Sequence, residues 1–314
     1  MVEPPCAREN ITRVTLNRGF AYRAQIGPDG AGRRVGDHLA AVYPHSTLEV
    51  WLARIAAGEV TLDGLVARGD ETLQNGHALT WHRPPWDEPD VPLMFELVHE
   101  DADVVAVAKP SGLPTMPAGG FLAHTLLAIV QAQWGDVHPL HRLGRFTSGL
   151  VLFARHHDAA AVLSQAWRSH AVSKSYRALV AGTPPWHTRA IDVPIGPVPH
   201  PVVGTVHAAR DDGRAAHSVA SVIERRGDTT LVDVRITTGR PHQIRIHLAA
   251  AGHPLAGDPL YDVGGRPRDV APGLPGDGGY LLHAHRLQLA HPRGTGTLAL
   301  EAPPPGPLCA ARPD

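Results

Sequence analysis

Cysteine is almost missing from these 314 residues: Cys6 and Cys309 stand near opposite ends, a spacing that gives neither a disulfide framework nor a zinc site. No apolar run approaches the roughly 20 residues of a membrane-crossing helix, so no membrane partner is expected. The first ten residues carry Pro4, Pro5 and charges where a secretory signal would be apolar, and the expectation is a cytoplasmic protein. A charge excess of either sign is absent too. The net charge of -1 excludes a global nucleic-acid signature, so any contact with RNA must be local. Lysine is scarce, occurring only at Lys109 and Lys174 among 29 basic residues.

What is present is an ordinary globular composition, 43% hydrophobic and 19% charged, at a length that suits one large domain with a smaller one attached. Between Val137 and Val180 the basic residues Arg142, Arg145, Arg155, Arg168, Lys174 and Arg177 face the single acid Asp158, a bias suited to neutralising phosphate. Residues 83 to 92 hold four prolines and mark a linker, which divides the chain into an N-terminal module, 1–85, and a main domain, 86–314. In the module an amphipathic stretch from Leu48 to Ile55 precedes a strand and turn ending in Asp63-Gly64, a hairpin signal. In the main domain, β-branched runs at Val104–Val107, Leu150–Phe153, Tyr176–Val180, Thr230–Ile236 and Ile244–Leu248 read as strands. Thr125–Trp134 and Ala159–Ser169 read as helices. Strands and helices do not alternate regularly, which predicts an α+β domain with a mixed, largely antiparallel sheet. The Gly- and Pro-rich stretch from Asp262 to Gly279 predicts a surface loop.

The segment richest in chemistry runs His138-Pro-Leu-His141-Arg142-Leu143-Gly144-Arg145-Phe146-Thr147-Ser148-Gly149-Leu150, a polar turn feeding an apolar strand. Around it stand Lys109-Pro-Ser-Gly112-Leu, Lys174-Ser-Tyr176-Arg-Ala-Leu-Val and Thr238-Gly239-Arg240-Pro-His242-Gln243-Ile-Arg245-Ile-His247-Leu. Gly257-Asp258-Pro-Leu-Tyr261 and Leu282-His283-Ala284-His285 follow. In this order the motifs resemble those of the RluA family of RNA pseudouridine synthases from about Val91 to Pro304. The module, from Arg34 to Arg83, resembles the small α/β RNA-binding domain of ribosomal small-subunit protein four, although its second helix offers only Arg54 as a cation.

The resemblance implies the pseudouridine synthase catalytic fold and a cofactor-free isomerisation of uridine within RNA, performed by a monomer. Such an enzyme must extrude the nucleotide from its stack to reach the base. By resemblance Tyr176 stacks on the uracil and Arg245 pairs with the catalytic carboxylate. His141, Arg142, Arg145, Thr147, Lys174, Arg240, His242 and Gln243 are the candidate RNA-binding residues. The sequence departs from the family at one catalytic position: Gly144 stands where the family signature H-R-L-D-x-x-T-S-G-L has its aspartate, and glycine offers no nucleophile. Asp136, Asp158, Thr147 and Ser148 are the nearby substitutes. Two readings follow, an active synthase with another reactive group, or a catalytically silent RNA-binding protein that retains the uridine pocket. A third, a protein that has left RNA for another partner, predicts no salt-sensitive RNA binding. Among the 21 histidines, His242 and His247 would face opposite sides of a strand, and His283 and His285 have no acidic or cysteine neighbour in sequence, so no metal site is expected.

Overall fold

Proline stiffens the junction near residue 88, and the chain divides between Glu88 and Pro89 into two compact units. The computed structural model describes residues 16–294 and 296–311; Cys6 and the opening ten residues lie outside them.

The N-terminal unit runs β1 (Phe20–Gln25), α1 (Val35–Val42), α2 (Leu48–Ala56), β2 (Val60–Leu62), β3 (Leu65–Val66) and β4 (Ala78–Arg83), with sheet order β1-β4-β2-β3. Thr47 caps α2 by accepting a hydrogen bond from Val50 N. Trp51 and Ile55, one helical turn apart, enter a small core with Val35, Leu39, Val60 and Leu79. Asp63 and Gly64 both adopt positive φ, as a tight hairpin between β2 and β3 requires. Strand β1 was not expected: Phe20 and Tyr22 stay exposed at the sheet edge, so no buried face announces it. Arg54 lies 4.6 Å and 4.4 Å from the ring centroids of Trp51 and Trp81, a pair of cation–π contacts within the unit itself.

The larger unit contributes β5 (Glu96–Glu100), β6 (Val104–Lys109), α3 (Leu126–Trp134), β7 (His138–Pro139), β8 (Ser148–Ala154), α4 (His157–Arg168), β9 (Ser173–Ala181) and β10 (Thr188–Ile191). After them come β11 (Ile195–His200), β12 (Gly204–Ala209), β13 (Ser218–Arg226), β14 (Thr229–Ile236), α5 (Gln243–Ala250), β15 (Tyr261–Asp262), β16 (Arg266–Pro267), β17 (Leu282–Ala290) and β18 (Thr297–Glu301). Its sheet is ordered β10-β13-β14-β9-β17-β8-β6-β5, with β18 beside β17 and β7 beside β8. Strands β6 and β8 are almost continuously apolar because both their faces are covered. This is the α+β architecture with a mixed sheet. The stretch from Asp262 to Gly279 is mostly loop, with one strand of the small β15-β16 hairpin inside it.

One expected strand is corrected. Residues Ile244–Leu248 lie in α5, where every residue from Gln243 to Ala249 is buried. The apolar-polar alternation of Ile-Arg-Ile-His-Leu imitates a half-buried strand. A helix buried on all sides shows no amphipathic period, and Arg245 and His247 are tolerated inside because each has its own polar partners.

Among the described pairings of the large sheet, β17 with β8 is parallel and the rest are antiparallel. At that seam Gly149 has φ +104°, and a Cβ there would sit 2.2 Å from Ala284 O. The close approach of the two backbones therefore demands glycine. Gly149→Ala is expected to cost about 2 kcal/mol or more, read as a lowered urea midpoint at unchanged m-value.

Candidate active site

The turn from His141 to Phe146 is fastened to the segment that follows β6. The buried Lys109 Nζ donates to three carbonyls, Pro110 O at 2.9 Å, Leu113 O at 2.8 Å and Arg145 O at 3.0 Å. Burial pushes this ammonium down to about 7. Gly112 N donates to Arg145 O, and Arg145 Nε returns a bond to Gly112 O. Thr115 Oγ1 both donates to Leu143 O and accepts from Leu143 N. His141 Nε2 accepts from Leu152 N at 3.2 Å, and its ring stacks on Trp167. Burial, with Lys174 nearby, pushes His141 down to about 4, so the imidazole is neutral.

The opposite wall is set by an ion pair. Arg245 Nε and Nη2 donate to the two oxygens of Asp258, each at 2.7 Å, with both side chains almost fully buried. Asp258 also accepts from Leu260 N and Tyr261 N. Burial is the largest single influence on Arg245 and opposes its charge, but the hydrogen bond to Asp258, together with the electrostatic pull of Tyr280, Asp258 and Tyr261, outweighs it and raises the pKa. The guanidinium lies 4.3 Å from the Tyr280 ring centroid and 5.0 Å from that of Tyr261. Tyr261 donates its hydroxyl proton to His207 O, so His242 Nδ1, 2.8 Å from the same oxygen, must be the donor there. Its Nε2 is left as an acceptor. Burial, then the Arg245 charge, pushes His242 down to about 3. Its backbone is left-handed at φ 55°, a strained conformation for a side-chain-bearing residue.

Between these walls lies a cavity of about 380 Å³. It is lined by Gly144, Tyr176, Arg245, His141, Arg142, Thr147, Lys174, Arg240, His242 and Gln243, ten of the eleven residues singled out from the sequence. Arg145 does not line it; its guanidinium stacks between Phe121 and Phe146. Gln243 lines the wall but spends its amide internally, accepting from Thr238 and Arg240 N and donating to His217 O and Ser218. Lys174 and Tyr176, two apart on β9, share a face. Burial lowers the pKa of the Lys174 ammonium and raises that of the Tyr176 phenol to about 12.

Among the described residues, no aspartate or glutamate lines this cavity. Asp136 and Asp158 are exposed and outside its wall. Ser148 is engaged with His283 Nδ1 at 2.9 Å. The carboxylate that Arg245 meets is Asp258, from the Gly257-Asp258-Pro-Leu-Tyr261 motif. Tyr280 and Trp167 line the cavity and were not anticipated, since a lone aromatic beside an apolar run carries no signal of its own. His247 bonds Ser218 Oγ and Val193 O, and His285 has Glu301 at 3.5 Å as an acidic neighbour. Asp101, Asp103 and His291 converge within 4.8 Å, but Arg293 and His156 already bond Asp103, His99 bonds Asp101, and none of them lines the cavity.

The mixed sheet thus carries a pocket lined by arginines, a lysine and two tyrosines, and comparison with known proteins gives the class of the protein. The family described as RNA pseudouridylate synthase matches residues 103–250. An uncharacterized RNA pseudouridine synthase of Synechocystis is 40% identical over 87% of this chain and 94% of its own length. The ribosomal large subunit pseudouridine synthase D of Pseudomonas aeruginosa is 31% identical over 90% of this chain and 92% of its own. The human RNA pseudouridylate synthase domain containing 1 shares the fold at a TM-score of 0.56, with 23% identity, over 69% of this chain and 86% of that one. The chain belongs to the RluA-type family of RNA pseudouridine synthases, which isomerise uridine to pseudouridine in RNA.

Asp258→Ala is expected to strand the Arg245 charge in the interior and to cost about 3–5 kcal/mol, measured by equilibrium denaturation. Because His141 is protonated in the unfolded chain near pH 6.5 but not in the folded one until about 4, the unfolded state binds more protons in that window. Stability should therefore fall as pH drops from 6.5 to 4, and His141→Gln should flatten that part of the curve.

Proposed function

We propose that one uridine, turned out of an RNA strand, seats in this cavity with its base against Tyr176 and its phosphates toward Arg142 and Arg240. The observation that carries the reading is the wall itself: arginines, a lysine, two neutral imidazoles and two tyrosines, with no carboxylate among the described residues to repel a polyanion. An aromatic face holds a base without fixing its rotation, which a uracil exchanging its N1 bond for a C5 bond needs. With Nδ1 committed to Tyr261, His242 Nε2 is free to accept from the uracil N3–H. The isomerisation is redox-neutral and requires no cofactor. Large-subunit ribosomal RNA is the substrate to try first, since the Pseudomonas relative carries the ribosomal large subunit in its name.

The test is tritium release from an unmodified large-subunit ribosomal RNA transcript labelled at uridine C5, because the new bond must expel the C5 hydrogen. The wild type is expected to release tritium. Arg142→Ala should bind the same RNA more weakly, with a salt slope reduced by about 1. RNA binding without release would identify a silent binding protein built on the same pocket.

A further inference from the structure

Among the described residues no carboxylate lines the cavity, but a reactive oxygen does. Tyr280, only 5% exposed, lines it, and its ring lies on the Arg245 guanidinium. A Cβ built on Gly144 would sit 3.6 Å from the Tyr280 hydroxyl and 3.5 Å from Thr147 Oγ1. Both are ordinary contacts, and Gly144 has no positive φ. Neither crowding nor backbone strain therefore requires glycine there, and the space in front of it is bordered by the phenol oxygen. Asp258 cannot serve instead: its side chain has no exposed surface, and both of its oxygens are held by Arg245.

We propose that Tyr280 is a catalytic residue of this protein, its hydroxyl reacting at the ribose C1′ in the place left by Gly144. This rests on the uridine-isomerase reading above. As the phenol oxygen bonds C1′, the N1–C1′ bond breaks, its electron pair leaves with the uracil, and the phenol proton passes to N1. The uracil, held against Tyr176, turns over. C5 then bonds C1′, the C1′–oxygen pair returns to the phenol oxygen, and that oxygen takes up the C5 proton, which exchanges with water. Atoms and electrons balance with no other reactant, and the Arg245 charge lies against the same ring while the oxygen holds the returning pair.

The experiment compares the wild type, Tyr280→Phe and the double variant Tyr280→Phe/Gly144→Asp on the C5-tritiated ribosomal RNA transcript, with the RNA affinity of each measured alongside. Tyr280→Phe keeps the ring and its contact with Arg245 and removes one oxygen. It is expected to slow single-turnover release at least about 100-fold while RNA affinity stays within about twofold. The double variant is expected to recover release, since a carboxylate at position 144 faces the same space. Acid quenching of the wild type during turnover should leave a ribosylated peptide containing Tyr280. Release by Tyr280→Phe at the wild-type rate would overturn the proposal, as would a loss of rate matched by an equal loss of affinity. A wild type silent on this RNA would instead overturn the isomerase reading, and the proposal with it.

Discussion

The buried pair of Arg245 and Asp258 is the constraint on which the site depends. Taking two charges out of water costs several kcal/mol each, and the cost is offset only when every lone pair and most N–H groups are used. Here the fork of the guanidinium meets both carboxylate oxygens, and two backbone N–H groups complete the carboxylate. Such a pair has one acceptable geometry. It ties the first turn of α5 to the loop that ends at Tyr280, and so fixes the mutual placement of His242, Tyr261 and Tyr280.

The two lysines show why a chain so rich in arginine keeps an ammonium in two places. Lys109 meets three carbonyls that converge on one point, a task for a compact tetrahedral donor that a planar fork cannot perform. By holding Arg145 O it anchors the turn that carries Gly144. Lys174, beside Tyr176, faces the cavity from a strand with little water around it. One wall thus hangs on an ammonium among carbonyls and the other on a guanidinium with a carboxylate.

Most of the site was legible because its residues cluster in short motifs with distinctive chemistry. The turn, the β9 pair and the 238–245 segment converge as their order suggested. What escaped did so for identifiable reasons. Helix α5 carries a two-residue alternation because its polar members are buried with partners far away in sequence, so the period of the pattern no longer reports exposure. Strand β1 lies at an edge with its aromatics in solvent, where burial leaves no pattern to read. Arg145, expected among the RNA-binding residues, lies outside the cavity wall with its guanidinium beside Phe121 and Phe146. Tyr280 could be recognised only from where the loop after Asp258 returns, and no local sequence feature specifies that return.

The parallel seam between β8 and β17 also sets an order of events in the making of the molecule. Ser148 and His283, hydrogen-bonded across it, are 135 residues apart in sequence. Closing so long a loop carries an entropic cost before any contact rewards it. A ribosome adding about 5–20 residues per second would present the His141–Phe146 turn on the order of ten seconds before the strand that completes its wall. During that interval β8, apolar on both faces, has one neighbour fewer than it needs. The nascent chain therefore passes through a stage in which an almost wholly apolar strand is bare on one edge, an exposure that chaperone capture during synthesis is suited to cover.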